Sequence, residues 1–259
     1  MSRKTITSLA NPTVKAVRAL HTRKARQESG LFLVEGLKSV AEAVGLGKSP
    51  RILLHAAAAA GHPLVERAAA VAAETLEVSD DVLGKISRRD NPQTVLGVFE
   101  QAFTPLALLD PAAARCWVVL EAVRDPGNLG TIIRTADAAA CGGVILVGDC
   151  CDPYSVEAVR ATMGSIFAVP IAKAGLAEFV AWRPQWPGSV VGTLLSAQTD
   201  FRAAPYQEPI LILMGREQSG LTAELAAICD MAVRIPMLGR ADSLNLAVAT
   251  GIMIYATVR

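Results

Sequence analysis

Aromatic side chains are scarce in this sequence, 5% of 259 residues against an apolar share of 52%, so a core must be built mainly from Ala, Val, Leu and Ile. Long apolar runs are missing too. Stretches such as residues 56–60 fall far short of the roughly 20 residues a membrane-crossing helix needs. Met1-Ser2-Arg3-Lys4 leads into no hydrophobic signal core, so export is not expected. Histidine is rarer still. His21, His55 and His62 are the only three, all near the start, which leaves no Ser-His-Asp arrangement and no His/Cys/carboxylate metal cluster in view. Cys116, Cys141, Cys150, Cys151 and Cys229 are an odd number without a C-x-x-C pair. That argues against disulfides or metal and for buried reduced thiols in a cytoplasmic protein. The adjacent Cys150-Cys151 pair is read as packing ahead of a redox role. Neither the G-x-G-x-x-G spacing of a dinucleotide fold nor the lysine of a P-loop accompanies the glycine-containing loops, which makes a nucleotide-dependent oxidoreductase a remote reading.

What charge there is lies unevenly. The net charge is +1, yet the first 26 residues carry Arg3, Lys4, Lys15, Arg18, Arg23, Lys24 and Arg26 with no acidic residue, and Lys85, Arg88 and Arg89 form a second cluster. Local basic patches on a neutral protein suit a partner that presents phosphates in defined places. Charge alone does not separate that reading from a solvated helix face.

The pattern of apolar residues divides the chain. Residues 15–26 read as a basic helix behind the turn signal Asn11-Pro12. Short strands follow at 31–34, 51–55, 75–78 and 95–99, separated by helices at 37–44, 65–74 and 80–86. That is an α/β/α domain over residues 1–103. Residues 104–114, with two prolines and little periodicity, read as a linker. From 115 to 259 the pattern strengthens: strands at 117–122, 144–147, 168–172, 189–195, 210–214 and 231–235 are apolar almost throughout. They alternate with helices at 129–140, 156–163, 176–182, 221–229 and 244–258. Apolar strands alternating with helices predict a parallel sheet covered on both faces, with ligands bound beyond the carboxyl ends of its strands.

Three loops at such strand ends carry polar residues. Asp125-Pro126-Gly127-Asn128-Leu129-Gly130 opens a helix that holds Arg134 among small and apolar neighbours. Arg134 pairs with Glu121, Asp125 or Asp137 on one reading, and clamps a phosphate or ribose on the other. Gly215-Arg216-Glu217-Gln218-Ser219-Gly220-Leu221 frames a carboxylate between glycines, and that carboxylate either serves a ligand, orients Arg134 or caps the next helix. The third loop, residues 235–245, places Asp242 or Ser243 as the cap of the last helix, with Ser243 and Asn245 in its first turn beside unpaired N–H groups able to hold an anion. Together they bring Asn, Arg, Glu, Ser and Asn to one end of one sheet.

These stretches carry a resemblance. DPGNLGTIIRTADAAACGG (125–143), ILMGREQSGLT (212–222) and IPMLGRADSLNLAVATGIMIY (235–255) resemble the three motifs of the SpoU (TrmH-type) branch of the SPOUT superfamily of RNA methyltransferases, in order and in register. RATMGSIFAVPI (160–171) is similar to the family's intervening segment. ITSLANPTVKAV (6–17) and FLVEGLKSVAEA (32–43) resemble its ribosomal-protein-L30e-like substrate domain. The pair Ala241-Asp242 departs slightly from the family's usual pair before Ser243-Leu244-Asn245.

The resemblance implies a C-terminal α/β domain with a deep trefoil knot, S-adenosyl-L-methionine as cofactor, a homodimer formed through the knotted region, and 2′-O-ribose methylation of structured RNA, ribosomal RNA ahead of tRNA. Carried over by motif, Arg134, Asn128, Glu217, Ser243 and Asn245 form the catalytic set, with Arg134 principal. Thr193, Leu194, Gly215, Ile235 and Leu244 contact the cofactor, chiefly through backbone groups. Lys15, Arg18, Arg23, Lys24, Arg26, Arg88 and Arg89 are the expected RNA contacts. The competing reading is a non-catalytic RNA-binding or ribosome-assembly protein that keeps the fold, against which the complete motif set argues.

Overall fold

A computed structural model of the chain describes residues 5–88, 91–217 and 219–258. They form two compact units, Met1–Gln101 with Asp152–Phe167, and Ala102–Cys151 with Ala168–Arg259.

The first unit begins with α1 (Pro12–Ala19) and α2 (Arg23–Ser29), so the basic segment expected as one helix is two. Local capping explains the break. Asn11 accepts from the Val14 N–H to start α1, and Thr22 accepts from the Ala25 N–H to start α2 afresh. Then come β1 (Leu31–Glu35), α3 (Leu37–Gly45), β2 (Ile52–His55), α4 (Pro63–Val71), β3 (Glu74–Glu77), α5 (Asp80–Ser87) and β4 (Val95–Glu100). The strands lie in the order β1-β4-β2-β3, with β4 antiparallel to both neighbours and β2 parallel to β3. Val14, Val17, Leu33, Leu54, Val82, Ile86, Leu96 and Val98 form its core.

The second unit runs through β5 (Cys116–Glu121), α6 (Pro126–Ala138) and β6 (Val144–Val147). The next helix, α7 (Val156–Thr162), belongs to the first unit. The chain then continues with β7 (Ile171–Ala174), α8 (Leu176–Trp182), β8 (Val190–Thr193), β9 (Thr199–Asp200), β10 (Ile210–Met214), α9 (Ala223–Ala227), β11 (Met231–Arg234) and α10 (Leu246–Thr257). Its seven strands are all parallel, in the order β7-β6-β5-β10-β8-β11-β9. Every residue of β5, β6 and β10 is buried, as a sheet covered on both faces requires. On one face Trp117, Val119, Ile145, Leu211 and Leu213 pack with Phe179, Trp182 and Leu225 of α8 and α9. The alternating residues turn to the other face, where α10 lies against α6, β5 and β10.

Two expectations are corrected. Residues 152–167 do not go with the second domain: Tyr154 stacks 4.6 Å from Phe32, Phe167 meets Phe99 at 4.8 Å, and Arg160 grips Glu35 with two hydrogen bonds of 2.8 Å. The stretch 104–114 is not a bare linker either. It holds two 3-10 turns, Leu106 is buried in the second core, and the Thr104 N–H donates to the Ile171 carbonyl. β7 starts three residues later than expected, after Pro170, and the two-residue edge strand β9 has no apolar signature to betray it.

Candidate active site

The site is built where β5, β8, β10 and β11 end. At the end of β10 the chain makes a tight loop in which Arg216 and Gly220 exchange both backbone hydrogen bonds at 3.0 Å. The loop closes only because Gly215 lacks a side chain. A Cβ there would stand 2.1 Å from the Gly220 carbonyl carbon and from the Leu221 nitrogen. Glu121, the last residue of β5, anchors the loop at both ends. One oxygen accepts from the Thr222 N–H at 2.8 Å and the other pairs with Arg216 at 3.2 Å, with the Glu121 side chain only 4% exposed. In the sequence alone Glu121 stands out only as a candidate partner for Arg134. Its signal was a carboxylate ending an otherwise apolar strand.

Held this way, Glu217 is exposed at the loop's tip and accepts a hydrogen bond from Asn128 Nδ2. Asn128 in turn accepts at its Oδ1 from Asn245 Nδ2 at 2.9 Å. Three segments separated by 89 and 117 residues therefore meet in one polar chain. Capping aims two of the three. Asp125 caps α6 by accepting from the Asn128 N–H at 2.6 Å, and Asn245 caps α10 by accepting from Ala247 and Val248 N–H groups. Asn245, not Asp242 or Ser243, is thus the cap. Ser243 stands before the helix, not in its first turn, and hydrogen-bonds Asp242. Glu217 caps nothing, since α9 starts later, behind Thr222. Arg134 is exposed on α6 and has neither an ion pair nor a hydrogen bond among the described residues. The Glu121 pairing considered for it is taken by Arg216.

Beside this network a cleft of about 310 Å³ opens over β8, β10 and β11. Thr193, Leu194, Gly215, Ile235 and Leu244 all line it, as do Ser243 and Glu217. The bed is apolar, with Leu194, Met214, Ile235, Met237 and Leu246. The exception is the Thr193 hydroxyl, which is buried with no hydrogen-bond partner among the described residues. A buried polar atom left orphaned is costly unless a ligand satisfies it. A slot with apolar walls, strand-end backbone groups and one waiting hydroxyl fits a nucleoside cofactor with an aliphatic tail.

The expected RNA contacts divide. Lys15, Arg18, Arg23, Lys24 and Arg88 are exposed, and Arg89 lies outside the described residues. Arg26 is a correction. It is 3% exposed, paired with Asp152 at 2.8 Å and donating to the Leu20 carbonyl, so it holds α2 in place and offers nothing to a partner. Between α1 and α5, burial keeps His21 below the usual histidine pKa, so it adds no charge to the patch near neutral pH.

Fold and site together describe an α/β enzyme with its ligand cleft at the strand ends. The chain belongs to the SpoU rRNA methylase family, whose sequence profile matches residues 115–255, and residues 11–97 match the MRM3-like substrate binding domain. It is similar to the AdoMet-bound rRNA methyltransferase of Sinorhizobium meliloti, at 48% identity over 98% of this chain and 97% of that one, with a TM-score of 0.91. It is 32% identical, over 97% of its length and 98% of the relative's, to the 23S rRNA (guanosine(2553)-2′-O)-methyltransferase RlmP of Bacillus subtilis. The AdoMet complex of AviRb from Streptomyces viridochromogenes, a SpoU methyltransferase, superposes with a TM-score of 0.85 at 28% identity over 96% and 97% of the two chains.

Proposed function

We propose that this chain is an S-adenosyl-L-methionine-dependent methyltransferase that modifies a ribose 2′-hydroxyl in ribosomal RNA, with tRNA the second candidate, in the cytoplasm. The observation that carries the reading is the Glu217–Asn128–Asn245 chain standing at the rim of a cleft whose Thr193 hydroxyl has no partner among the described residues. No helix of the described residues is long and apolar enough to cross a membrane.

When bound, S-adenosyl-L-methionine supplies a methyl group already activated by its sulfonium. Thr193, Leu194, Gly215, Ile235 and Leu244 hold it. The remaining work falls to the chain's own groups. Asn128, Glu217 and Asn245 lock one another's orientation, and Ser243 completes the set. Together they position a ribose hydroxyl for in-line attack, an alignment that contributes about 7–11 kcal/mol in favourable cases. Arg134, with no partner among the described residues, is free to take the ribose phosphate and to stabilise the alkoxide that develops as the hydroxyl loses its proton. A guanidinium is not a proton acceptor, so a phosphate oxygen or water takes that proton.

The chain's last helix supports the homodimer. α10 is apolar on every side, yet Val248 and Tyr255, one heptad apart on one face, are each 52% exposed. A second copy would cover that stripe. The course of the chain supports the deep knot: β10 lies between β5 and β8, β11 lies beyond β8, and α10 then returns to β5 and β10 while Ile235, Met237, Ser243 and Leu244 line the same cleft as residues 193–196. Lys15, Arg18, Arg23, Lys24, Arg88 and Arg89 are the proposed RNA contacts.

The test is transfer of labelled methyl to ribosomal RNA from a strain lacking this protein, read as alkali-resistant dinucleotides, alongside calorimetry with S-adenosyl-L-methionine. Arg134→Lys should bind the cofactor normally and lose about 10²-fold in turnover. Near-normal turnover would remove Arg134 from its assigned role.

A further inference from the structure

A second cleft, of about 470 Å³, opens on the other side of the Glu217 loop. It lies over the ends of β5 and β6, and Arg216, Glu217 and Ser219 line both clefts, so the loop is a partition between them. The two differ in character. The cofactor cleft is largely apolar, whereas this one is lined by Glu121, Arg124, Asp149, Arg216 and Glu217.

Its construction suggests use, not accident. Ala122 has a φ of 47°, a left-handed conformation disfavoured for a residue with a side chain. That turn sends Val123 into the core, 1% exposed, and brings Arg124 to line the cleft. There Arg124 meets Asp149 from the end of β6 at 2.7 Å, with the two side chains 68% and 66% exposed. An ion pair so exposed adds little to stability, so the strained turn is not explained by it. Glu121, on the same wall, is already committed to Thr222 and Arg216.

We infer that this second cleft receives the base of the nucleotide being methylated, and that Arg124 and Asp149 select a base with a ring N–H beside a carbonyl, guanine or uracil. The inference rests on the methyltransferase reading above. A ribose at the partition, with its hydroxyl turned to the cofactor cleft, has its base on the opposite side. Arg124 and Asp149 present a donor and an acceptor side by side, the complement of a carbonyl next to an N–H. Adenine and cytosine carry no ring N–H beside a carbonyl.

The experiment uses the full chain and short RNA substrates spanning the nucleotide mapped as methylated, with G, U, A or C at that nucleotide. Wild-type protein should prefer its lactam base over adenine and cytosine by about 10- to 100-fold in kcat/KM. Asp149→Ala and Arg124→Ala should narrow that ratio toward one while the S-adenosyl-L-methionine Kd stays within twofold. A base preference equally strong in both variants overturns the inference, and so does a wild-type protein indifferent to the base. Failure of wild type to methylate any RNA while binding the cofactor would instead defeat the parent reading, and this one with it.

Discussion

Removing the Glu121 carboxylate should unfasten the loop that carries Glu217, in amounts that the structure allows to be graded. In Glu121→Ala the Thr222 N–H loses its acceptor beneath the loop, which costs about 1–3 kcal/mol, and Arg216 loses its ion-pair partner. Arg216 is 50% exposed and can turn to water, so the ion pair itself adds at most about 1 kcal/mol. Glu121→Gln keeps an acceptor for Thr222 and loses only that smaller share. At roughly 2–4 °C per kcal/mol for a unit of this size, the alanine variant should melt about 2–16 °C lower and the glutamine variant no more than about 4 °C lower. The same order should hold for cofactor affinity, because Gly215 and Glu217 belong to the loop that Glu121 holds. Scanning calorimetry reads the first quantity and isothermal titration with S-adenosyl-L-methionine the second. Equal effects of Ala and Gln, or an alanine variant that melts like wild type, would refute the clamp.

Gly215→Ala forces the backbone of Gly220 and Leu221 to move by about an ångström, a displacement that can cost about 10²-fold in rate, so methyl transfer should fall at least that far while far-UV circular dichroism stays near wild type. Arg26→Ala should lower the melting temperature of the protein by breaking its buried pair with Asp152, whereas Arg18→Ala and Arg23→Ala should leave it unchanged and weaken RNA binding with a reduced salt dependence in filter-binding assays. Tyr255→Asp places a charge in the exposed stripe of α10 and should shift sedimentation from dimer to monomer, and an unchanged sedimentation coefficient would deny that stripe its role.

The parallel sheet was legible because its strands are apolar on both faces, and the three polar loops were legible because each interrupts such a strand pattern. Local capping chemistry was harder to rank. Asp242, Ser243 and Asn245 are all competent caps, and only the observed start of α10, with Ala247 and Val248 N–H groups donating to Asn245, decides among them. The role of Arg26 was hidden for another reason. Its partner Asp152 lies 126 residues away, in a segment whose own apolar pattern resembles the second domain, so charge patterning read a buried strut as part of a surface. The same long-range packing, of Tyr154 on Phe32 and Phe167 on Phe99, moved α7 to the first unit. Glu121 was visible as an oddity, but its meaning depended on Arg216 and Thr222, about a hundred residues downstream.

Mass-spectrometric mapping of ribose methylation across ribosomal RNA from a deletion strain, complemented with wild type or with Arg134→Ala, bears most directly on the claim that Arg134, Glu217 and Asn245 serve one methyl transfer. One 2′-O-methyl nucleotide should disappear in the deletion, return with wild type and stay absent with the variant. A deletion strain with every ribose methylation intact in ribosomal RNA and tRNA would contradict it.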